Sequence, residues 1–577
     1  MSTFPTEDFR PFFSANRPWL SHYPAHIPAE LEQPLLPAFG LLERSARDFP
    51  QHIACQYYDQ QLNYADLLAL SRRTAQFLQE IGLQRGDRVG LLMPNMPEYL
   101  AAAYGVWMAG GGVVSISPLS VPEEVSALVE STNCRAVFTL DMLAPLVFDG
   151  HHHPPHVVVV TLRDRLPFWE SLGYSLAHFM RTRFRSVPDD LLVHHFSQCL
   201  PELSADFQPP NIDLDFPAYI IPTGGTTSAP KAVLLSHRNL SANAEQIMYW
   251  SGRRMGQERF LAVIPFFHSY GLSTCVTAGI GLAATLILHH RFKPRTVLRL
   301  IRQHRPTFFL AVPTMLSALN KELMQHPIPD CSLNYCISGG APLDSAVAAV
   351  FAEQTGATVV EGYGLSEASP VTHVGPLDGS ARPGMIGLPL PGTDAMIVDA
   401  DTGQGPLAVG QVGELVLQGP QVMLGYWNQP EETAQVLKNG WLFTGDLAQQ
   451  DEDGFFRIVD RKKDLIITSG FNVYPNEVES VLRRFPNVRD VAVIGVDDPD
   501  RGQVVKAMLV MNKGIKFDQH AFDHFIHEHL GKHKRPRLIE VVSELPRNFL
   551  GKVQRRKLRD AHSDAPETVS SPPPGEE

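Results

Sequence analysis

Cysteine is scarce in this sequence, and its positions indicate no shared chemical task. The six cysteines among the 577 residues are Cys55, Cys134, Cys199, Cys275, Cys331 and Cys336. No two of them have the Cys-x2-Cys spacing, so neither a zinc site nor a disulfide framework is indicated. A reducing compartment fits best, and we expect a cytoplasmic protein.

Long runs of positive charge are also missing. The net charge is −12 at pH 7, and the Lys and Arg residues form no long block. This balance argues against nucleic acid as a partner. Residues 1–8 contain neither the basic nor the apolar region of a signal peptide, so we expect none here.

One stretch approaches the length of a membrane-spanning helix. Residues 271–288 carry no charge over 18 residues, which reaches the threshold for a span. Three glycines and three threonines make the stretch weakly apolar, and it follows the loop-like residues 266–270. We therefore predict a buried helix that leads into a strand.

Predicted strands alternate with predicted helices through the first part of the chain. Helical segments at 64–81 and 97–109 alternate with apolar strands at 88–93, 113–116 and 136–140. Such alternation is typical of a parallel sheet that is covered on both faces.

The pattern changes in the last third of the chain. Short β segments with turns at 384–459 indicate an antiparallel, barrel-like portion. The charge-dense run at 460–464 is a candidate hinge, and a small α+β pattern follows it. At the start of an earlier helix, Ser120 and Glu123 have the spacing of a capping box.

Two features admit both a functional and a structural interpretation. The histidines at 151, 152, 153 and 156 resemble a metal cluster, but two prolines and no carboxylate partner favour a solvated loop. The apolar residues between 168 and 180 run into three arginines at 181–185. This segment fits a membrane-surface helix, although a core-packed helix with a basic last turn is favoured.

A glycine-rich loop at 221–231 is the strongest candidate for a polyphosphate site. It holds two glycines, three threonines, a serine and a lysine. Glycines let consecutive N–H groups point into one concavity, and the hydroxyls and the lysine add donors and positive charge. Pro230 precedes the lysine and Ala232 follows it, so the spacing is not Walker A. A connecting turn is the alternative. The candidate residues are Thr223, Gly224, Gly225, Thr226, Thr227, Ser228 and Lys231.

Two further predicted strands end in glycine turns, where ligands bind in open parallel sheets. The first strand, at 335–338, runs into a turn, and the second, at 359–362, ends beside an aromatic ring, a hydroxyl and a carboxylate. The candidate residues are Gly339, Gly340, Ala341, Glu361, Gly362, Tyr363, Gly364, Ser366 and Glu367.

Five motifs in a fixed order resemble those of the AMP-forming adenylate ligases, which include acyl-CoA synthetases, luciferases and peptide-synthetase adenylation domains. The motifs lie at 223–231, 361–367, 441–446, 460–464 and 546–552. Within this superfamily, the runs at 419–427, 460–464 and 469–479 look like those of the bacterial long-chain fatty acid–CoA ligases. The resemblance spans roughly residues 18–560.

The resemblance implies a role for each motif in forming an acyl-adenylate from a carboxylic acid and ATP. The glycine-rich loop would hold the β- and γ-phosphates, while Thr226 and Glu367 would position Mg²⁺, a cation that prefers oxygen ligands. Tyr363 would stack on the adenine, with glycines leaving room for it. Asp446, assisted by Arg461, would accept hydrogen bonds from the ribose.

The resemblance also implies how the acyl group reaches a thiol. Lys552 would stabilise the first transition state, after which the C-terminal domain would rotate and bring another face inward. Lys463 matches the hinge position. The loop residues Ser469, Gly470 and Phe471 match the segment that lines the pantetheine tunnel for CoA.

The pattern and the resemblance together predict an α/β fold. A large N-terminal domain of two Rossmann-like α/β subdomains plus a β-barrel-like subdomain would precede a small mobile α+β C-terminal domain. The expected boundaries are an N-terminal arm at 1–40, an AMP-binding domain at 41–459, a hinge at 460–464, a C-terminal domain at 465–562 and a disordered tail at 563–577.

Some positions depart from the usual family pattern. Gly224 replaces a common serine or threonine, Ser228 and Ala232 replace glycines, and Ser366 replaces a common threonine. A serine at a positive φ would be strained. Because no charge or metal ligand is lost, we expect activity to survive.

His268 bears on the choice of acid. Amino-acid-activating relatives place an aspartate near this position to bind the α-amine, whereas this chain has a histidine. A fatty or aryl acid is therefore favoured, and His268 is assigned to the acyl or pantetheine pocket rather than to the core, with a catalytic role.

Three functions remain open from the sequence. A medium- or long-chain fatty acid–CoA ligase that uses ATP, Mg²⁺ and CoA is favoured. An aryl-acid ligase such as a coumarate type, or a ligase that loads a carrier protein, is the alternative, and a silent nucleotide-binding relative is the third. Peripheral association with the inner face of the cell membrane and a homodimer are left open.

Overall fold

Two compact units make up the chain in this computed structural model, which describes residues 17–166, 171–174, 191–223, 231–547 and 551–563. The first unit comprises Met1–Ala395, Val416–Thr444 and Asp451–Phe456. The second comprises Met396–Leu415, Gly445–Gln450 and Arg457–Glu577.

The strands are numbered here in chain order. The first nine are β1 (Ile53–Tyr57), β2 (Gln60–Asn63), β3 (Arg88–Leu92), β4 (Gly112–Ser115), β5 (Cys134–Leu140), β6 (His156–Val160), β7 (Leu192–His195), β8 (Pro217–Thr223) and β9 (Lys231–Ser236). The next nine are β10 (Arg259–Ala262), β11 (Thr285–Leu288), β12 (Phe308–Ala311), β13 (Tyr335–Ser338), β14 (Thr358–Gly364), β15 (Val371–Val374), β16 (Leu388–Pro389), β17 (Asp394–Val398) and β18 (Gly413–Gln418). The last nine are β19 (Gly425–Tyr426), β20 (Leu437–Lys438), β21 (Trp441–Gln450), β22 (Phe456–Arg461), β23 (Ile466–Thr468), β24 (Phe471–Val473), β25 (Val488–Asp498), β26 (Gly502–Met511) and β27 (Leu538–Val541).

The helices are numbered in the same way. The first eight are α1 (Gly40–Asp48), α2 (Tyr64–Glu80), α3 (Pro97–Met108), α4 (Pro122–Thr132), α5 (Ala144–Phe148), α6 (Phe196–Cys199), α7 (His237–Trp250) and α8 (Ser269–Gly271), which continues as a π-helix over Leu272–Gly279. The others are α9 (Pro294–His304), α10 (Pro313–Gln325), α11 (Ser345–Thr355), α12 (Pro430–Val436), α13 (Pro475–Leu482), α14 (Gln519–His529) and α15 (Arg555–Ser563).

Two large sheets form the first unit. The nine-stranded sheet has the order β16-β15-β14-β13-β12-β10-β11-β1-β2, and the eight-stranded sheet has the order β19-β9-β8-β4-β3-β5-β6-β7. The inner strands of both sheets pair in parallel, for example β12 with β13 and β3 with β5. The predicted α/β class with parallel sheets is thus confirmed.

The later part of the chain is built from smaller sheets. One five-stranded sheet joins β17, β18, β21 and β20, with β22 on β21, where the barrel-like portion is predicted. In the second unit, β24, β23, β26 and β25 form another sheet, with β27 on β26. Its apolar side packs against α13 and α14 through Val478, Leu482, Phe522 and Ile526, which gives the predicted small α+β unit.

The uncharged stretch at 271–288 is buried, as predicted. It forms the π-helical segment Leu272–Gly279 and then β11, and all eight residues of that helical segment are buried. Among the helices in the described part of the chain, none combines the length and the hydropathy that crossing a membrane requires.

Two local predictions need correction. The helix that follows Ser120 begins one residue later than its capping box requires: Val121 occupies the N-cap, and the Glu124 carboxylate accepts its backbone N–H at 3.2 Å. The histidine cluster is also divided. His151 is exposed, whereas His156 is 7% exposed at the start of β6, with its Nδ1 3.1 Å from His194 Nε2.

Residues 17–39 pack closely on the first unit. Trp19 is 1% exposed and lies edge-on against Phe456, while Arg17 forms an ion pair with Asp394 at 2.7 Å. Of the predicted helix at 168–185, only residues 171–174 are described, so its packing and its arginines lie outside the described residues.

Candidate active site

The ends of the glycine-rich loop are fixed by strand pairing. Thr223 ends β8 and Lys231 begins β9, and the two residues are antiparallel partners. The Thr223 hydroxyl donates to the Lys231 carbonyl at 3.0 Å. The residues between them, 224–230, lie outside the described part of the chain, including Thr226 and the φ of Ser228. Ala232 lies within β9 and is not among the residues with a positive φ, so its β-carbon meets no backbone strain.

Lys231 enters a network of side chains in the first unit. Its ammonium forms an ion pair with Glu432 and lies 5.0 Å from the centre of the Tyr426 ring. The Tyr426 hydroxyl donates to Glu367 Oε1 at 2.9 Å. Two candidate residues, Lys231 and Glu367, are therefore brought together by a tyrosine that the sequence does not single out.

Glu367 provides an oxygen donor suited to Mg²⁺. Tyr426 occupies one carboxylate oxygen, and no described residue donates to the other, Oε2. The described residues contain no group of three or more His, Cys, Asp or Glu arranged for a metal ion. The Glu367 carboxylate fits Mg²⁺, because that ion is usually held by one or two carboxylates together with substrate phosphates.

The turn after β13 is shaped by close packing. A β-carbon on Gly339 would lie 3.4 Å from the Tyr270 ring, and Gly340 has a φ of +80°. The Tyr270 hydroxyl donates to the Ile337 carbonyl at 2.9 Å, which fixes the ring beside the turn. Ala341 continues this turn toward α11, whose N-cap is Asp344.

Glu361 and the glycines of β14 stabilise this edge of the sheet. The Glu361 carboxylate accepts the Leu343 N–H at 3.2 Å, and burial raises the pKa of Glu361 to about 7. A β-carbon on Gly364 would lie 2.0 Å from the Pro370 carbonyl oxygen, so this position admits only glycine. A β-carbon on Gly362 would lie 3.3 Å from the Ile337 side chain.

Tyr363 and Ser366 follow on the same segment. The Tyr363 ring meets His373 edge-on at 5.9 Å, and the Ser366 hydroxyl lies 3.1 Å from that of Ser269. Ser269 begins α8, so this contact joins the segment to the turn that carries His268.

His268 is an N-cap. Its Nδ1 accepts the Tyr270 N–H at 3.1 Å, and burial lowers the pKa of His268 to about 4. A neutral imidazole whose Nδ1 accepts carries its proton on Nε2. At neutral pH this side chain is therefore uncharged, which suits an uncharged acyl group better than an ammonium group.

The second unit contains the predicted ribose-binding pair. Asp446 on β21 is 4% exposed, and Arg461 Nε lies 2.9 Å from its Oδ1. Glu414, which the sequence does not single out, accepts the Gly445 N–H and forms an ion pair with Lys462, both at 3.0 Å. Glu414 thus holds the turn that presents Asp446.

Lys552 interacts electrostatically with Asp446 and Arg461. Burial and, to a smaller degree, Arg461 lower the pKa of Lys552 to about 8, and Asp446 opposes this shift. Gly551 before it has a φ of +79°, while residues 548–550 lie outside the described part. Within one unit, the structure therefore brings together three of the predicted site residues.

The predicted hinge is held by a buried carboxylate, that of Asp460. Asp460 is 0% exposed and accepts the N–H groups of Asn476 and Arg461, each at 2.8 Å. Burial raises the pKa of Asp460 to about 6 and lowers that of Lys463. Asp464 forms an ion pair with Arg559 at 3.0 Å.

The predicted pantetheine loop is a tight hairpin turn. Ser469 and Gly470 join β23 to β24 with φ values of +49° and +82°. Two positive φ angles are the geometry of a type I′ turn. The turn leaves Phe471 56% exposed, with its ring 5.0 Å from that of His533.

Three residues of the site are missed by sequence reasoning, namely Glu414, Tyr426 and Glu432. Tyr426 lies in the run at 419–427 that carries the family resemblance, which is the signal that could have found it. Glu414 lies between Gly413 and Leu415, and Glu432 follows Glu431. Only their partners in the folded chain distinguish them.

Comparison with known proteins identifies the family. The AMP-binding enzyme family matches residues 42–427, and the AMP-binding enzyme C-terminal domain matches residues 477–552. The chain belongs to the AMP-binding enzyme family, as the five motifs predict.

Individual relatives match over nearly the whole chain. A long-chain-fatty-acid–CoA ligase of Bacillus subtilis (strain 168) is 39% identical over 557 residues, which cover 95% of this chain and 99% of that protein. One of Salmonella typhimurium is 35% identical over 560 residues, with 94% and 98% covered. The crystal structure of ATP bound MatB from Rhodopseudomonas palustris is similar with a TM-score of 0.77 and 29% identity, covering 92% of this chain and 99% of that chain.

Proposed function

We propose that this chain is an ATP-dependent, AMP-forming long-chain fatty acid–CoA ligase. In the first step, a carboxylate oxygen of the acid attacks the α-phosphorus of ATP and pyrophosphate leaves. In the second step, the thiol of CoA attacks the acyl carbonyl and AMP leaves. The observation that carries this proposal is the near full-length similarity to relatives named long-chain-fatty-acid–CoA ligase.

The first step brings one anion to another, so its main requirement is positive charge and alignment. We assign Lys231 to the phosphates and Lys552 to the carboxylate and α-phosphate oxygens. Glu367, with Thr226, would hold Mg²⁺. When bound, Mg²⁺ neutralises phosphate charge as a Lewis acid.

The nucleoside is assigned to groups that match its shape and polarity. Asp446 would accept hydrogen bonds from both ribose hydroxyls through its two oxygens, while Arg461 orients it from 2.9 Å. Tyr363 would stack on the adenine, with Gly339, Gly340 and Gly362 leaving space for it.

The second step requires a path for a thiol. We assign Lys463 and the segment 460–464 to the hinge of the C-terminal domain. The exposed Phe471 and the turn at Ser469 and Gly470 are assigned to the pantetheine arm of CoA. The domain boundaries predicted from the sequence form part of this proposal.

The identity of the acid is argued from His268. A neutral imidazole offers no charge to an α-amine or a second carboxylate, so an acid with an uncharged chain is favoured. Peripheral membrane association, a cytoplasmic location and a homodimer remain predictions from the sequence.

The experiment that tests the proposal measures pyrophosphate release with acids from acetate to oleate and with coumarate, in the presence and absence of CoA. Release that is fastest with long-chain acids, together with formation of the CoA thioester, supports the proposal. Preference for coumarate would establish the aryl alternative. Acyl-AMP formation without any thioester to CoA would point to a carrier protein as the acceptor.

A further inference from the structure

Tyr426 is placed by backbone pairing beside two proposed ligands of MgATP. It lies on β19, which pairs antiparallel with β9 so that Tyr426 faces Val233, two residues after Lys231. Its N–H donates to the Thr433 hydroxyl at 2.8 Å, which ties β19 to α12. The ring position is therefore set by two elements rather than by a flexible loop.

The hydroxyl of Tyr426 acts on Glu367. Tyr426 is 8% exposed, and its phenolic O–H is the donor in this contact because a carboxylate oxygen only accepts. The hydrogen bond to Glu367 Oε1 is 2.9 Å long. A hydrogen bond to one oxygen restricts rotation of the carboxylate, and so it limits where the other oxygen can lie.

Glu432 acts on Lys231. It lies in the first turn of α12, and its side chain is 36% exposed against 21% for the lysine with which it forms an ion pair. This carboxylate would compete with any anion for the same ammonium group. A triphosphate that binds Lys231 must therefore displace Glu432.

We propose that Tyr426 and Glu432 are positioning residues of the MgATP site: Tyr426 orients Glu367 toward Mg²⁺, and Glu432 holds Lys231 until the triphosphate displaces it. This inference rests on the proposed function, in which Glu367 helps to hold Mg²⁺ and Lys231 binds phosphate. The two residues have opposite effects, since one promotes binding of the metal complex and the other competes with the nucleotide.

The test measures ATP affinity by isothermal titration calorimetry of the full-length protein without acid or CoA, so that no turnover occurs. For Tyr426→Phe, we expect the gain in ATP affinity that Mg²⁺ provides to fall roughly tenfold, since a hydrogen bond to a charged group is lost. Affinity for ATP in EDTA should stay unchanged. For Glu432→Gln, ATP should bind about threefold more tightly both with and without Mg²⁺.

Tyr64→Phe is the matched control, because it removes a buried tyrosine hydroxyl that donates to the Ala284 carbonyl at 2.7 Å. It should leave all ATP affinities at the wild-type values. An unchanged Mg²⁺ effect in Tyr426→Phe, or weaker or unchanged ATP binding in Glu432→Gln, would overturn the inference. If Tyr426→Phe does not fold, the Glu432→Gln result decides, since damage to the structure cannot tighten binding. A wild-type protein that binds no ATP would instead overturn the proposed function.

Discussion

Lys552 is a cation at a site where burial disfavours its charge. Its pKa is lowered to about 8, so the ammonium form is present below that pH and is lost above it. Lysines with shifted pKa values are common at functional sites. The charge that we assign to the first transition state is therefore itself dependent on pH.

Lys552→Ala should reduce acyl-AMP formation by about 10²- to 10³-fold, because a donor to the developing charge is removed. Thioester formation from supplied acyl-AMP should be largely retained. In the wild type, acyl-AMP formation should also decline as the pH rises above about 8, and Lys552→Arg should move this decline to higher pH. Rapid-quench assays of each half-reaction provide the measurement, and equal losses in both would contradict the assigned role.

Glu361 should make stability depend on pH. Folding raises its pKa from 4.5 to about 7, so its contribution to stability is complete below about pH 4.5 and is lost as the pH rises through 7. Glu361→Gln should therefore reduce the fall in the free energy of unfolding between pH 5 and pH 8, by on the order of 1–3 kcal/mol. Chemical denaturation at both pH values measures this, with Glu353→Gln on the exposed side of α11 as the control. The same pH dependence in Glu361→Gln as in the wild type would contradict the argument.

At the scale of elements, the candidate residues are placed by strand ends and by the segments that directly follow them. Lys231 begins β9, Glu361 lies on β14, and Asp446 and Arg461 lie on β21 and β22. The backbone of each residue is held by strand pairing. Glycines in the same segments allow neighbouring parts of the chain to approach closely.

Gly364→Ala tests this packing at the end of β14. Its β-carbon would lie 2.0 Å from the Pro370 carbonyl, so β14 and β15 would have to separate. We expect a loss of about 1–3 kcal/mol in stability, as is typical of overpacking. Gly173→Ala is the matched control, since no atom of the described residues lies within 4 Å of its added β-carbon. Thermal unfolding measures both variants, and equal melting temperatures would argue against the described geometry.

At the scale of the whole molecule, ligand binding should increase the free energy of unfolding. A ligand that binds only the folded state adds about 2.7 kcal/mol at a concentration of 100 times Kd. ATP with Mg²⁺ should therefore raise the melting temperature, and EDTA should diminish the effect of ATP. Differential scanning calorimetry with ATP, with ATP and Mg²⁺, and with Mg²⁺ alone provides the measurement. No shift with ATP and Mg²⁺ together would contradict nucleotide binding.

The sequence by itself predicted the fold class, the family and the identity of most candidate residues. Strands and helices that bury one face have a periodic pattern of apolar residues, and close approach of chain segments requires glycine. Both features can be recognised in the local sequence. The predicted N-cap of α4 is wrong by one residue, because Glu123 and Glu124 both offer a carboxylate near the start of the helix. The loop prediction is wrong for His156, which begins β6 and lies beside His194, a residue 38 positions further along the chain.

Only the tertiary structure decided how the candidate residues are paired. Lys231 with Glu432, Glu367 with Tyr426, and Glu414 with Gly445 are contacts between residues far apart in the chain or in unremarkable local sequence. The pKa values of Glu361 and Lys552 likewise depend on burial, which arises when distant segments pack together. Motifs specify which groups are present, whereas their charge and orientation depend on which neighbours exclude water from them.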